Sequence, residues 1–351
     1  MTRITVKKAK SRWRSVSPSD WDRSRLKALL RAIRGRKVLV IGDVGVDRYT
    51  VGLVERISPE APVPIVFVES EQLKLGLAAN VADNVRVLGG EPLLVGAIGH
   101  DRGAEDFRAL MRKARIKTDH LVVDRALRTV LKERVVSDRQ QLLRIDYESL
   151  HELSAKTRRL VIRNVRGLLK RVDAVILEDY AKGLVDASMA EEIFGYARGE
   201  GRLVTADPNS KTPVSFYRGA SVLTPNTKEA ENLSGIAIRD EESLARAGFA
   251  ILRQTQARYV VITRGKDGMA IFSSGNHQVT LIPTYAKEVY DVSGAGDTVI
   301  AVLTLALAAG ASIEEASILG NLAAGVEVGK RGTATVTPAE VEAALDFFTL
   351  A

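Results

Sequence analysis

The segment Asp291–Thr298 holds the residues whose types and spacing are best suited to chemistry in this chain. Gly294, Ala295 and Gly296 permit a tight turn, and the apolar run that follows predicts a helix beginning here. The first N–H groups of a helix lack internal partners and attract anions. Asp297, beside a bound phosphate, could take the proton from an attacking hydroxyl. The alternative is a glycine turn in which an acidic residue only stabilises the helix start.

A second polar pair, Asn226 and Glu229, follows a predicted strand at Ser221–Thr224. Two residues three apart at a helix start can share one side of the helix. Glu229 could therefore hold Mg²⁺, directly or through water, while Asn226 reaches a phosphate or a metal-bound water. An ordinary helix start, with Asn as its cap and Glu in its first turn, would give the same pattern.

Three further segments lie at predicted strand ends or helix starts. The glycines and basic residues of Thr263–Gly268 could follow the phosphates of a nucleotide, or form a hairpin turn. Asp43 and Asp47 lie beyond the carboxyl end of the first strand, where open α/β sheets bind ligands, and two carboxylates suit a polyhydroxyl compound. Asn80, on the first turn of a helix, could bind a sugar hydroxyl or cap that helix.

The elements that must position these residues alternate between strands and helices, which predicts an α/β protein with a doubly wound, mostly parallel sheet. Lys37–Gly42 is an apolar run that ends in glycine, which is typical of a buried central strand. The other predicted strands are Leu93–Ile98, Ala174–Leu177, Leu203–Asp207, Ser221–Thr224, Tyr259–Thr263 and Met269–Phe272. The predicted helices include Ala78–Leu88, Ala104–Ala114, Thr157–Lys170, Met189–Arg198 and Glu241–Gln254.

Two stretches, near 48–69 and 121–147, break this alternation. Ile65–Val68, Thr129–Val136 and Gln141–Ile145 are strand-like and have no obvious helix partner. We predict that they pair as a small antiparallel sheet that projects from the main domain as a lid. Two long surface loops are the alternative.

The chain has 351 residues, of which 46% are apolar, so it can bury the core of one large or two smaller α/β domains. No apolar run reaches the length of about 18–20 residues needed to cross a bilayer, and no apolar leader is visible. The absence of Cys excludes disulfides and thiolate metal sites. These observations favour a cytoplasmic protein that does not enter a membrane.

The basic residues are concentrated at the amino terminus, where residues 1–37 contain 13 Lys and Arg and 2 Asp and Glu. We therefore predict a basic extension over residues 1–36 and a main domain over 37–351. The extension could contact nucleic acid or anionic lipid, but a solvated or weakly docked segment is favoured and a nucleic-acid partner is not. Trp13 and Trp21 indicate that part of it packs, with Ser19 capping a helix that runs from Leu26 to Ile33.

Six segments, taken in order from about Val38 to Pro338, resemble the ribokinase/PfkB carbohydrate kinase family. They are Gly42–Asp47, Gly76–Ala82 with Gly96–Gly103, Asp207–Asn209, Thr224–Glu229, Thr263–Gly268 and Asp291–Asp297. The resemblance implies a ribokinase-like fold and ATP-dependent phosphorylation of a sugar.

The same resemblance implies a role for each matching residue. Asp297 is the base, and the N–H groups of Gly294, Ala295 and Gly296 form an anion hole. ATP and Mg²⁺ bind at Asn226, Thr227, Lys228, Glu229, Thr263, Gly265 and Asn321, and a monovalent cation, with K⁺ the candidate, binds near Asp291. Sugar hydroxyls bind at Asp47, Gly76 and Asn80. The family usually has a second glycine where this chain has Leu77, which would narrow the sugar pocket or alter the loop.

A narrower resemblance, to the bacterial D-glycero-β-D-manno-heptose-7-phosphate kinases, is carried by Asp47–Tyr49, Arg56–Pro64, Gln140–Asp146, Asp179–Gly183 and Val289–Asp291. It implies phosphorylation of the anomeric hydroxyl to the 1,7-bisphosphate, on the route to the ADP-heptose of lipopolysaccharide. The resemblance is to the monofunctional form, without a fused nucleotidyltransferase. Cations for the sugar phosphate, each of which could instead be a surface charge, are Arg48, Arg56, Arg134 and Lys182. Lids of this family often pair between two subunits, so a homodimer is expected.

Two other functions stay open on sequence alone. One is phosphorylation of another sugar or of a nucleoside by a kinase of the same family. The other is a catalytically silent member with a regulatory or nucleic-acid-binding role, against which the intact Gly294, Asp297 and Asn226 argue.

Overall fold

The computed structural model describes residues 12–137, 140–148, 153–286, 289–330 and 332–350. The first eleven residues of the predicted basic extension, and positions 138 and 139 of the predicted lid, lie outside the described residues. No helix within the described ranges combines the length and the apolar composition that crossing a bilayer requires.

The described residues form fourteen strands and ten α-helices. The strands are β1 (Trp13–Ser15), β2 (Lys37–Gly42), β3 (Val44–Ile57), β4 (Pro64–Leu77), β5 (Glu91–Ile98), β6 (Leu121–Val123), β7 (Val130–Ser137), β8 (Gln140–Tyr147), β9 (Ala174–Glu178), β10 (Leu203–Asp207), β11 (Val222–Leu223), β12 (Tyr259–Thr263), β13 (Met269–Ser273) and β14 (Val279–Ile282). The helices are α1 (Arg23–Ala32), α2 (Ala78–Val87), α3 (Arg102–Lys113), α4 (Ala155–Leu169), α5 (Ala187–Gly199), α6 (Thr227–Ser234), α7 (Glu241–Thr255), α8 (Ala295–Ala308), α9 (Ile313–Glu327) and α10 (Pro338–Leu350).

Ten strands form one large sheet in the order β1-β14-β13-β12-β11-β10-β9-β2-β5-β6. Neighbouring strands run parallel except on the two sides of β13. The predicted doubly wound, mostly parallel α/β fold is confirmed. The strands and helices named individually for this sheet are present, with ends that lie within two residues of the predicted ones.

Strand β2 lies near the middle of the large sheet because both of its faces are apolar. Val38 and Val40 contribute to the core on the side of α2, α8 and α9, while Leu39 and Ile41 contribute to the core on the side of α4, α5 and α7. Successive residues of a strand point to opposite faces, so one short apolar run joins two helical layers to the sheet.

The other four strands form a small separate sheet, which we call the lid, in the order β4-β3-β7-β8. Its two hairpins, β3–β4 and β7–β8, are antiparallel, as predicted for this small sheet, while the central pair β3–β7 runs parallel. Leu121–Val123 was assigned to the lid and instead forms β6 at an edge of the large sheet, paired with β5. The hairpin β3–β4 begins at Val44, directly after β2, so the lid is continuous with the centre of the large sheet.

From Arg12 onward, the predicted basic extension is part of the domain. Strand β1 pairs in parallel with β14, and α1 buries Leu26, Leu29 and Leu30. The cap of α1 is Asp22 rather than Ser19, which lies in the preceding single turn of 3₁₀ helix. Five cations of this segment pair with acids of α7, α9 and α10, as Arg12–Glu242, Arg14–Glu314, Arg23–Asp346, Arg25–Glu315, Lys27–Glu342 and Lys27–Asp346. Their charge is therefore matched within the chain.

Candidate active site

The turn before α8 forms the centre of the site. Gly294 caps the helix with φ 97°, in the left-handed region that glycine adopts without strain. A Cβ at this position would lie 3.2 Å from Glu327 Oε1. Asp297 lies in the first turn, after Ala295 and Gly296. The first N–H groups of a helix therefore lie beside a carboxylate, an arrangement that can hold an anion next to a proton acceptor.

Both oxygens of the Asp297 carboxylate accept a hydrogen bond. Asn80 Nδ2 donates to Oδ2 at 2.6 Å, and Tyr180 OH donates to Oδ1 at 2.7 Å. Burial raises the pKa of Asp297 to about 6, although the two hydrogen bonds act in the opposite direction. A carboxylate with this pKa is ionised at neutral pH and is a stronger proton acceptor than a solvated aspartate.

Glu178 and Asp207 complete an acidic cluster with Asp297, in which the three carboxylates offer oxygens within 4.8 Å of one another. Glu178 is 2% exposed, and its Oε1 has no hydrogen-bond partner among the described residues. Burial, together with the neighbouring negative charges, raises the pKa of both Glu178 and Asp207. Three converging carboxylates with an unpaired buried oxygen fit a hard divalent cation such as Mg²⁺.

Sequence reasoning missed Glu178 and Asp207 as site residues. Each is the last residue of its strand, and the two are direct partners in the parallel pairing of β9 with β10. An acidic residue that ends an apolar strand was the available signal, because ligands of such sheets bind beyond the carboxyl ends of the strands.

Asn226 and Glu229 form a reciprocal cap at the start of α6. The Asn226 side chain accepts from the Glu229 N–H at 3.0 Å, and the Glu229 carboxylate accepts from the Asn226 N–H at 2.8 Å. The alternative considered for this pair, in which Asn226 caps the helix and Glu229 lies in its first turn, is thus present in the structure. The charge of Glu229 nevertheless lies close enough to raise the pKa of Asp207, so Glu229 borders the acidic cluster.

A cleft of about 700 Å³ opens beside the start of α8. Its walls include Asn226, Thr227, Lys228, Thr263, Gly265 and Asn321, together with Ala295 and Gly296. Asn321 Nδ2 donates to the Pro283 carbonyl at 2.6 Å, which fixes its side chain. Thr263–Gly268 forms the turn between β12 and β13, as in the hairpin alternative, and Gly265 of this turn lines the cleft. Apart from Glu229, the residues expected to bind a nucleotide line one cavity of ligand size.

The lid supplies the opposite wall of the site. Asp47 is 5% exposed, and its charge contributes to the raised pKa of Asp297. Arg134 Nη1 donates to Asp47 Oδ1 at 2.6 Å, and a Cβ on Gly76 would lie 3.0 Å from Asp47 Oδ2. Lys132, which sequence reasoning missed, is close enough to oppose the rise in the pKa of Asp297.

Two of the cations expected to bind the sugar phosphate, Arg48 and Arg134, lie on opposite faces of the lid. Arg134 pairs with Asp47 on one face of the lid. Arg48, next to Asp47, projects from the opposite face and lies 3.7 Å from both Asp106 and Glu133. Adjacent residues of a strand point to opposite faces, so Arg48 and Asp47 do not face the same ligand.

The two remaining candidate cations lie in different places. Arg56 stacks on Phe67 at the far end of β3, about 30 Å from Asp47 at a rise of about 3.3 Å per residue. Lys182 forms an ion pair with Glu148 at 2.6 Å, and its charge lowers the pKa of Lys132. Lys182 therefore lies on the same side of the lid as Lys132, and Arg56 is remote from both.

Leu77 adopts a backbone conformation that glycine would adopt at lower cost. Its φ is 58° and its ψ is −141°, at the residue that precedes α2. Such a conformation costs a non-glycine residue about 1–3 kcal/mol. The leucine side chain is buried. The loop before Asn80 thus keeps a glycine-like shape in spite of the leucine.

Two acidic groups lie near the anion-binding turn. Asp291 Oδ1 accepts from the Ser293 N–H at 2.9 Å. Glu327 is fully buried, and its Oε2 has no hydrogen-bond partner among the described residues. Burial raises the pKa of Glu327 to about 8, and the charges of Asp297 and Asp291 act in the same direction.

The sequence matches a known protein family over most of its length. The model of the pfkB family carbohydrate kinases matches residues 36–340. The bifunctional protein HldE of Geobacter sulfurreducens is 42% identical over 326 residues, which cover 93% of this chain and 66% of that protein. The bifunctional protein HldE of Helicobacter hepaticus is 41% identical over 305 residues, which cover 87% and 63%. The chain thus spans about two thirds of the length of these relatives.

Solved structures of low sequence identity share the fold. Arabidopsis thaliana ribokinase, complexed with ribose and ATP, has a TM-score of 0.68 and 18% identity, covering 90% of this chain and 99% of that one. Phosphofructokinase-2 from Escherichia coli, in complex with potassium, has a TM-score of 0.72 and 19% identity, with the same coverage.

Proposed function

This chain belongs to the pfkB family of carbohydrate kinases, and we propose that it transfers the terminal phosphoryl group of ATP to the anomeric hydroxyl of D-glycero-β-D-manno-heptose 7-phosphate. The observation that carries the proposal is the position of Asp297, which lies between a nucleotide-sized cleft and a lid wall with buried cations. The relatives named HldE support the heptose as acceptor. The product would be the 1,7-bisphosphate, a precursor of ADP-heptose for lipopolysaccharide.

In the proposed reaction, the Asp297 carboxylate takes the proton of the anomeric hydroxyl. The hydroxyl oxygen then bonds to the terminal phosphorus of ATP. The bond from this phosphorus to the bridging oxygen breaks, and ADP leaves with the electron pair. The N–H groups of Gly294, Ala295 and Gly296 stabilise the negative charge on the transferring phosphoryl group. Catalysis of phosphoryl transfer consists mainly of such charge stabilisation and of positioning the reacting groups.

Glu178 and Asp207 would hold Mg²⁺, with Glu229 at the border of the site. The side chains of Asn226 and Glu229, first considered as metal ligands, are engaged in capping α6. Bound Mg²⁺ would neutralise charge on the phosphates of ATP. Asp291 remains the candidate residue for a monovalent cation such as K⁺.

Arg134 and Lys182 are the proposed partners of the sugar phosphate, together with Lys132. Burial lowers the pKa of Lys132, so an incoming phosphate would find a cation that lacks full solvation. Asp47 would accept a hydrogen bond from a sugar hydroxyl in addition to its contact with Arg134, which would weaken that contact. Asn80 is bonded to Asp297, which supports a role at the reacting hydroxyl rather than at a distant one.

We also propose a homodimer that forms through the lid. The lid exposes several large apolar side chains, at Leu53, Val54, Ile57, Val63, Phe67, Val68 and Leu143. Apolar surface of this kind, clustered on one small sheet, is typical of a surface that pairs with another protein.

The substrate is tested by measuring ADP release with Mg²⁺ and ATP over a panel of acceptors. The panel contains heptose 7-phosphate, fructose 6-phosphate, ribose, fructose and adenosine. Turnover confined to heptose 7-phosphate is expected, because Arg134 and Lys182 provide cations for a distal phosphate. Turnover on an unphosphorylated sugar instead would exclude the heptose phosphate while leaving Asp297 as the base.

A further inference from the structure

We propose that Tyr180 is a positioning residue, whose hydroxyl fixes the orientation of the Asp297 carboxylate toward the acceptor hydroxyl. The inference rests on the proposed role of Asp297 as the base, and it concerns a residue that does not itself take the proton. It assigns a purpose to the loop Asp179–Leu184, which joins β9 to the segment before α5.

The contacts define the plane of the carboxylate. Tyr180 OH donates to Asp297 Oδ1 at 2.7 Å, while Asn80 Nδ2 donates to Oδ2 at 2.6 Å. The two donors come from different elements, the loop after β9 and the start of α2, so together they resist rotation of the carboxylate. A carboxylate oxygen has two lone pairs, and each oxygen of Asp297 therefore keeps one for the substrate.

Tyr180 is suited to donate without losing its own proton. Burial and the negative charges of Asp297 and Glu178 raise the pKa of Tyr180 well above its usual range. A phenol hydroxyl supplies a hydrogen bond without placing another charge in the acidic cluster. The ammonium group of Lys132 lies 5.7 Å from the centre of the Tyr180 ring, a distance at which a cation and an aromatic ring attract each other.

The loop that carries Tyr180 is held by two carboxylates, of which Asp43 is buried and Asp179 is half-buried. Asp43 accepts from the N–H groups of Lys182 and Leu184, each at 3.0 Å. Asp179 accepts from the Ala181 N–H at 2.8 Å. Ala181 has φ 53°, a left-handed conformation that is unfavourable for alanine and that persists only where its surroundings impose it. The loop is thus built rigidly around the position of one side chain.

The same loop carries Lys182, a proposed partner of the sugar phosphate. Two residues of one rigid loop therefore contact opposite ends of the acceptor site, Tyr180 at the base and Lys182 at the distal phosphate. A substrate that engages Lys182 would be aligned relative to Asp297 by the same backbone.

Tyr180→Phe tests the proposal, because it removes one hydroxyl and keeps the ring. We expect kcat to fall by about 10–10²-fold, while KM for ATP and for the sugar stays within about twofold, since small misplacements of reacting groups are costly to turnover. Tyr196→Phe is the matched control, since it removes a hydroxyl that bonds to Glu192 on the surface of α5. Unchanged kcat in Tyr180→Phe would overturn the proposal.

A second measurement separates positioning from a general structural effect. Tyr180→Phe is added to Asp297→Asn, in which there is no carboxylate to orient. If Tyr180 acts through Asp297, the second substitution costs little further turnover; an equal loss in both backgrounds overturns the inference. Ala181→Gly loosens the loop without removing the hydroxyl, and it should lower kcat without lowering the unfolding temperature.

The outcome distinguishes this inference from the proposed function. Asp297→Asn with near-normal turnover would remove the base and, with it, the role of Tyr180. Asp297→Asn with a large loss and Tyr180→Phe with none would leave the base in place and reject only the positioning role.

Discussion

The catalytic centre and the lid use charge in opposite ways. At the carboxyl ends of the large sheet, Glu178, Asp207 and Asp297 converge, and burial raises the pKa of each. On the lid, Lys132 and Arg134 face the same space, and burial lowers the pKa of Lys132. Acids thus gather where a metal and a proton would be held, and cations gather where a substrate phosphate would lie.

The two regions also differ in how they meet solvent. In the acidic cluster, Glu178 is buried and Asp207 and Asp297 are half-buried, whereas the lid exposes apolar residues such as Ile57, Val68 and Leu143. The acidic cluster is formed by residues of one chain, while the lid has an apolar surface that favours a partner. Substitutions in the centre are therefore expected to alter turnover, and substitutions at the lid tips are expected to alter dimer formation.

The largest effect is expected for Asp297→Asn. Loss of the proposed base should lower kcat by about 10²–10⁴-fold with little loss of ATP binding, measured by ADP release and by nucleotide titration. Because the pKa of Asp297 is about 6, wild-type turnover should fall as the pH drops through this value, and the variant should lack that dependence. Near-full turnover in Asp297→Asn would reject the assignment.

A smaller effect is expected for Glu178→Gln. Removing one ligand charge should raise the Mg²⁺ concentration required for half-maximal turnover by about 10–10²-fold, measured by metal titration at fixed ATP. Stability should not fall, since the substitution removes a buried charge. Glu191→Gln, on the exposed side of α5, is the control. An unchanged Mg²⁺ requirement would place the metal elsewhere.

Substitution at the lid tips should change assembly more than chemistry. Phe67→Glu combined with Leu143→Glu is expected to convert a dimer into a monomer, measured by sedimentation, because two charges cannot be buried in an apolar contact. The thermal unfolding of the large sheet should be unchanged. Val123→Glu, at an exposed position outside the lid, serves as the control. A dimer that persists in the lid variant would contradict the proposed interface.

The smallest effect is expected for Glu327→Gln, and it concerns stability. The pKa of Glu327 is about 8 in the folded chain, against an ordinary value of 4.5, so the folded state holds a proton that the unfolded state releases. Its contribution to the free energy of unfolding is therefore fully present below pH 4.5 and is lost as the pH rises through 8. Urea unfolding at several pH values should show that the free energy of unfolding declines less with rising pH in the variant than in the wild type. An identical decline in both would contradict the raised pKa of Glu327.

Local signals were sufficient to predict much of the fold and the start of α8. The apolar run at β2 and the glycine turn before Asp297 can each be recognised from a few adjacent residues. The pairing of Glu178 with Asp207 depends instead on the register between two strands, and the choice between Arg48 and Arg134 depends on the register between β3 and β7. Registers join residues that are distant in sequence, so residue spacing along the chain does not reveal them.

The amino-terminal charge shows why composition favoured a solvated or weakly docked extension, although Trp13 and Trp21 indicated that part of it packs. Arg12 pairs with Glu242 and Arg23 pairs with Asp346, each more than 200 positions away. A local count of charges cannot include such partners. Five of the basic residues between positions 12 and 27 pair with acids of α7, α9 and α10, which argues against a nucleic-acid surface on this part of the segment.

Strand β1 has a further consequence for the integrity of the large sheet. Without it, β14 would present a row of unpaired N–H and C=O groups, which is a template for pairing with other chains. The three residues of β1 cover this row, and a strand of three residues is too short an edge to recruit another chain readily. A fragment beginning at residue 37, close to where the family match starts, would leave β14 bare and expose the apolar surface beneath α1. Such a fragment is expected to self-associate, so the segment that resembles an appendage in the sequence protects the protein from aggregation.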